Sequence, residues 1–233
     1  ETTISGARVV GPSGDVSFAE VARVWHRNPE DLPADWYAHW LSPDLALSMT
    51  CGLPFRTVLK GKVQYIGTLD FGLGGPPGYY HSQIITRRDL SGPAQKLAFN
   101  SADSQSGWAA TQDIPDRASI TAYIETGAHA ASLAAVANAR ADIACLDTVT
   151  WRILQKVDPN VAMVVPSGST RPTPGLPLIA AHGTDPAPLR RALITAIATH
   201  TPAAPDHMGG PMTFCVLDQQ RYFGQPIPAP PPA

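Results

Sequence analysis

The chain has 233 residues, 44% hydrophobic and only 15% charged, with 17 Lys and Arg against 19 Asp and Glu for a formal net charge of −2. That balance excludes a disordered chain, which needs low hydrophobicity and high net charge. It also argues against nucleic acid or an anionic membrane as partner, since the longest basic runs are the pairs Arg87-Arg88 and Arg190-Arg191.

At ~150 residues per domain the length fits one large domain or two small lobes, and no stretch of about 18 apolar residues exists to span a bilayer. The opening Glu1-Thr2-Thr3 lacks a basic segment followed by an apolar region, which fits a cytosolic protein or an exported one after processing. Cys51, Cys145 and Cys215 are odd in number and widely spaced, so neither a disulfide framework nor a CxxC metal pattern is expected.

In chain order, the apolar run Leu45 to Met49 leads into the polar turn Thr50-Cys51-Gly52-Leu53-Pro54 and then Phe55 to Leu59. Gly72-Leu73-Gly74-Gly75-Pro76-Pro77-Gly78 fails the dinucleotide fingerprint because Pro77 takes the last glycine position. Lys96 to Phe99 reads as a strand, followed by Asn100 to Gly107 and then Trp108-Ala109-Ala110. Ile120 to Ile124 is the next strand, followed by Glu125 to His129 and a helix over Ala130 to Ala139. Ile143 to Leu146 is a buried-strand candidate, with Asp147-Thr148 opening a helical run from Val149 to Val157. Val161 to Val165 reads as a strand, and Pro188 to His200 as a helix with Leu189, Ala192, Leu193, Ala196 and Ile197 on one stripe. The end, Gln225 to Ala233 (QPIPAPPPA), reads as extended polyproline II that adds nothing to a core. Strand, polar loop and helix repeat three times in the middle of the chain, the signature of an α/β layer with a mainly parallel sheet.

In such sheets ligands sit beyond the carboxyl ends of the strands, where helix N-termini aim unpaired N–H groups outward. Four segments carry small or polar residues at such a turn: Thr50 to Pro54, Ser101 to Gly107, Gly127 to Ser132 and Asp147 to Trp151. The second is richest, because Ser101, Ser104 and Ser106 bring hydroxyls and Gly107 permits close backbone approach. Charge-assisted hydrogen bonds to a compact oxyanion are about twice as strong as neutral ones, so no Arg is required there. Each segment also reads as an ordinary N-cap. His129 reads either as structural or as a partner for a bound anion, and Asp147 either as a helix cap or as an acceptor for a ligand's ammonium or hydroxyl. Tyr79-Tyr80, Trp108 and Trp151 stand beside candidate turns but fit a core equally well. A competing reading is a hydrolase-type enzyme using Cys51 or a serine as nucleophile, although there is no GxSxG. A third reading is a sensory or structural relative. No HExxH or HxH spacing suggests a metal site.

The strings TCGLP at 50–54, NSADSQSGW at 100–108, TGAHAASLAAVANARADIACLDTVTW at 126–151 and TPGLP at 173–177, in that order, resemble the substrate-binding proteins of ABC transporters for phosphate, phosphite and phosphonates. The likeness runs from roughly Leu45 to Ile197. It implies a two-lobed periplasmic-binding-protein fold of type 2, each lobe a mainly parallel sheet flanked by helices. It implies a small oxyanion held in the cleft between the lobes and passed to a membrane permease, in the periplasm, with no covalent step and no cofactor. The serine-rich loop that clasps the oxyanion falls on Ser104, Gln105, Ser106 and Gly107, the histidine on His129, the carboxylate facing a ligand amine on Asp147, and an aromatic contact on Tyr79 or Tyr80. With the turn reading, Thr50 joins this set. The implied layout is residues 1–83 with 164–224 as one lobe, 84–163 as the second, and 225–233 as a proline-rich tail.

Overall fold

The computed structural model describes residues 8–11, 14–17, 33, 35–199 and 212–232. In chain order the elements are β1 (Arg8–Gly11), β2 (Gly14–Ser17), α1 (Trp36–Trp40), β3 (Ser48–Met49), α2 (Gly52–Arg56), β4 (Val63–Asp70), β5 (Tyr79–Tyr80), β6 (Ser82–Arg87), β7 (Lys96–Phe99), β8 (Ala122–Glu125), α3 (His129–Ala137), β9 (Ile143–Asp147), α4 (Thr148–Val157), β10 (Val164–Ser169), β11 (Thr173–Pro174), β12 (Pro177–Ala181), α5 (Pro186–Thr199), β13 (Thr213–Cys215) and α6 (Gln220–Phe223). Two compact units emerge: Glu1–Gly72 with Pro174–Gly224, and Leu73–Thr173 with Gln225–Ala233.

The first unit carries a four-stranded sheet in the order β13-β4-β12-β3. Strand residues alternate between faces, and the alternation divides its core. Leu47, Ile66, Leu69, Leu178 and Ala180 meet Leu189, Leu193 and Ala196 of α5 on one side. Trp40, Leu45, Phe55, Leu59, Tyr65, Ile179 and Tyr222 fill the other. A register shift between Leu178 and Ile179 lets β12 pair Gly67 and then Tyr65 of β4. The predicted stripe of α5 is the one that packs, while His200, at its predicted end, lies outside the described residues.

The second unit holds a five-stranded sheet in the order β10-β6-β9-β7-β8. Neighbours along each strand again take opposite faces. Ile85, Ala98, Ala144 and Leu146 face the alanine-rich α3 and Trp151 and Leu154 of α4. Ile84, Leu97, Phe99, Ile143 and Cys145 face Trp108, Ala110, Ile114 and Ile120. Only β8-β7-β9 run parallel, since β6 pairs antiparallel with both β9 and β10. In the first unit every described pairing is antiparallel. The expectation of mainly parallel sheets is therefore corrected to mixed and antiparallel ones. It rested on apolar runs that continue into helices, and it overlooked β4, β6 and β12.

The boundaries differ from those read in the sequence as well. Val164 pairs with Arg87 and Ser169 with Gln83. That ladder belongs to one sheet, so the chain passes between units at Gly72 and Thr173, not near 83 and 164. A third passage follows Gly224, and the tail belongs to the second unit; Ala233 itself lies outside the described residues.

Gly67 lies where β4 is crossed by Phe214. A methyl group there would sit 2.3 Å from the Phe214 ring and 2.7 Å from the carbonyl oxygen of Cys215. Gly67→Ala is expected to lower stability by about 1–3 kcal/mol through overpacking, read as a lower urea midpoint with unchanged slope.

Candidate functional site

The three parallel strands of the second unit end at Phe99, Glu125 and Asp147, and the chain turns at each end. The amides of Thr126 and Gly127 donate to the carbonyls of Phe99 and Asn100 at 2.9 and 2.8 Å, tying the turn after β8 to the one after β7. These turns carry Ser104 to Gly107, His129 and Asp147.

The serine-rich turn is buried at Ser104, Gln105 and Ser106. Ser104 Oγ accepts from the amide of Gly107 at 3.0 Å, and the Ser104 carbonyl accepts from the amides of Trp108 and Ala109 at 3.2 and 2.9 Å. Gly107 is required by proximity: a Cβ there would lie 1.8 Å from Asn100 Oδ1. Ser101, expected as a donor toward ligand, instead donates to Asp103 at 2.6 Å.

His129 starts α3 after Ala128, whose side chain cannot cap. The first amide hydrogens of that helix are therefore left for a ligand or water. Its Nε2 lies 2.9 Å from Ser106 Oγ and 4.0 Å from Asp147 Oδ2. Its Nδ1 is buried without a hydrogen-bond partner among the described residues. Burial holds the imidazole below its ordinary pKa of 6.5, against the opposing pull of Asp147, so the ring is neutral at neutral pH.

Asp147 caps α4. Its Oδ1 accepts from the amides of Val149 and Thr150 at 2.9 and 3.1 Å, and Oδ2 accepts from the Thr150 hydroxyl. The two helix starts thus differ: that of α4 is capped by a carboxylate, while that of α3 has no side-chain cap. Ser106, His129 and Asp147 do not form a nucleophilic triad, because a triad carboxylate orients the ring through the nitrogen opposite the serine. Here the serine hydroxyl and the carboxylate both approach Nε2.

Ser82, which the sequence reading missed, faces Asp147 across the β6–β9 ladder. It is buried and donates to the carbonyl of Ser106 at 3.0 Å. Recognising β6 as a strand would have found it. Tyr79 is half-buried and Tyr80 buried, while Trp108 and Trp151 are core residues. Thr50 belongs to the first unit. Its amide donates to the Pro177 carbonyl at 2.9 Å, and its buried hydroxyl has no hydrogen-bond partner among the described residues. A depression of about 370 Å³ in the second unit, lined by residues including Arg87, Arg88, Ile120 and Ile143, contains none of the predicted site residues. Among the described residues no cluster of His, Cys, Asp and Glu could hold a metal ion, and no helix is long and apolar enough to cross a membrane.

A family model described as "ABC transporter, phosphonate, periplasmic substrate-binding protein" matches residues 70–208. No curated protein matches the chain in sequence. Among solved structures, PhnD1 from Prochlorococcus marinus in complex with methylphosphonate is similar at TM-score 0.59 and 13% identity, over 78% of this chain and 75% of that one. XAC2383 from Xanthomonas citri bound to chloride ion is similar at TM-score 0.56 and 20% identity, over 78% and 75%. MatC from Rhodopseudomonas palustris with bound malate is similar at TM-score 0.53 and 12% identity, over 74% and 71%. These likenesses show the type 2 periplasmic-binding-protein fold.

The neutral burial of His129 has a consequence for stability. The folded state takes up this proton less readily than the unfolded chain, so the stabilisation is complete above pH 6.5 and lost as pH falls below it. His81, lowered by burial and then by Arg152, acts in the same direction. Denaturant unfolding from about pH 7.5 to about pH 5 is expected to show a loss of stability that is smaller in His129→Gln. Equal losses in the two proteins would contradict the assignment.

Proposed function

We propose a ligand class for this chain, which belongs to the family of periplasmic substrate-binding proteins of phosphonate ABC transporters. As the substrate-binding component of such an importer, it captures a small phosphorus oxyanion, the phosphonate group or its phosphate and phosphite relatives. The observation that carries the reading is the meeting of Ser106 and His129 at the ends of parallel strands, beside a helix whose start has no side-chain cap. A hydroxyl, a ring nitrogen and free amide hydrogens together suit a tetrahedral anion. In this reading Ser104 and Ser106 donate through their hydroxyls, Gln105 and Gly107 shape the turn, and the neutral His129 acts on the same group through Ser106, donating from Nε2 to its Oγ.

The pair Tyr79-Tyr80, in the same unit, adds the proposed aromatic contact. MatC has this fold and holds malate, so the choice of phosphorus over carboxylate rests on the family and on this turn. Asp147 carries a reduced role: its oxygens already serve α4, which favours a simple oxyanion over an aminoalkyl one. The chemistry needed is binding and release. Ser106 lacks the oriented His–Asp pair that a serine nucleophile requires. The site of action is the periplasm and the onward partner the importer's permease, as for the family.

Calorimetry with phosphate, phosphite, methylphosphonate and 2-aminoethylphosphonate tests this reading. At least one simple oxyanion is expected to bind, with 2-aminoethylphosphonate no tighter than methylphosphonate. Ser106→Ala and Ser104→Ala are each expected to lose about 1–3 kcal/mol, roughly 5- to 150-fold in Kd, because a desolvated anion would miss a donor. Absence of heat with all four ligands would overturn the proposal, and unchanged affinity in both variants would remove this turn from the site.

A further inference from the structure

The proline-rich tail is seated on the second unit. The indole N–H of Trp108 donates to the carbonyl of Ala229 at 2.9 Å, and Arg171 donates to the Gln225 side chain at 3.0 Å. Arg171 is itself paired with Asp113 at 3.3 Å. Both anchor points therefore lead into the stretch 108–113, which continues the serine-rich turn. Along the tail Gln225, Pro228 and Pro231 are half-buried, while Pro226, Ile227, Ala229, Pro230 and Pro232 are exposed. A repeat of three matches polyproline II, which has three residues per turn and no internal hydrogen bonds. One edge of the tail thus lies against the protein.

The receiving surface has the chemistry that recognises such a helix. An aromatic cluster presents an indole donor to a backbone carbonyl that the helix cannot satisfy itself. Trp108 packs against Phe99 and Tyr123, with ring centroids 5.1 and 5.9 Å away. Arg117 lies over the Trp108 ring at 5.2 Å. These ring contacts orient the indole toward the tail, and the bond to the Ala229 carbonyl fixes its N–H there.

We propose that the C-terminal tail is a resident polyproline ligand of the second unit, and that by fixing Trp108 it positions the Ser104–Gly107 turn. The turn's role in ligand binding rests on the reading above; the docking of the tail does not. The amides of Trp108, Ala109 and Ala110 all bond back to Ser104 or Gln105, so movement of the indole is transmitted to the serines through one short stretch of backbone. Prolines at 228 and 231 lower the entropy cost of docking because their φ angles are set in advance.

The test uses the full chain carrying Pro228→Gly together with Pro231→Gly, and separately Ile227→Ser, whose side chain is 64% exposed. Hydrogen exchange by NMR follows the Trp108 indole, identified through Trp108→Phe, and the amides of Trp108, Ala109 and Ala110. In the double variant all four exchange about tenfold faster or more, and in Ile227→Ser they are unchanged. An unaltered indole in the double variant overturns the docking. Altered indole exchange with unaltered amides overturns the positioning, and equal acceleration by Ile227→Ser overturns the threefold seat. For an oxyanion that the unmodified chain binds in calorimetry, the double variant weakens Kd by about threefold or more, and equal Kd counts against positioning. Failure of the unmodified chain to bind any of phosphate, phosphite, methylphosphonate and 2-aminoethylphosphonate refutes the ligand reading alone, since the exchange measurements contain no ligand.

Discussion

Parallel pairing brings strand ends level, and in the second unit that alignment organises the site. Leu97 pairs with Ile143 and Phe99 with Glu125, so β7, β8 and β9 release the chain at one edge of the sheet. Three sequence-distant turns must then start side by side. Two short backbone bonds, from Thr126 and Gly127, join the first two. The antiparallel β6 brings Ser82 to the same edge, opposite Asp147. No long-range ion pair is needed to gather Ser106 and His129, because the ladder has done so already.

Four arginines of the second unit have partners of their own. Arg87 pairs with Asp89 and Asp142, Arg88 donates to the Ala162 and Val164 carbonyls, Arg171 pairs with Asp113, and Arg117 stacks on rings. Arg152 acts on His81, which precedes Ser82, and at the candidate site the amide dipoles at the start of α3 and the hydroxyl and imidazole hydrogens supply positive character. Such donors act most strongly where water is excluded, and the buried serine turn provides that exclusion. They are directional, so they discriminate by the shape of the anion more than by its charge. The same burial that strengthens them also holds His129 neutral.

Much of this was readable from the residues, for identifiable reasons. KLAF and IACL are short apolar runs flanked by polar turns, and both form strands at the expected positions. ITAYI was placed two residues early because a short turn at Arg117–Ser119 consumes its start. Val161 to Met163 reads as strand but forms a 3-10 turn, set by Pro159 and the Asp158 cap, and the strand begins at Val164. The strands β4 and β6 were overlooked because both faces of each are buried. VQYIGTLD and SQIITR show neither alternation nor an unbroken apolar run. Ser82 went unnoticed with β6. Whether Asp147 caps or binds could not be read from one letter, since the same carboxylate serves both; three bonds to Val149 and Thr150 show the cap. The tail's composition pointed to an extended proline-rich segment, but its seat depends on a tryptophan 121 residues away in sequence, beyond the reach of any local pattern.

Placement of the serine turn within the core suits the binding role proposed for it. A mobile glycine–serine loop would have to be ordered on binding, at a cost of roughly 1–2 kcal/mol per residue fixed. In this chain that cost is met during folding. Trp108 is buried among Phe99, Ile114 and Cys145, Gly107 lies against Asn100 with no room for a methyl group, and Ser82 secures the Ser106 carbonyl from the neighbouring strand. The backbone is held on three sides, while the hydroxyl of Ser106 points to His129 rather than into the core. Rigidity of the frame and availability of the donors therefore have a single origin, the packing of the turn against the sheet from which it emerges.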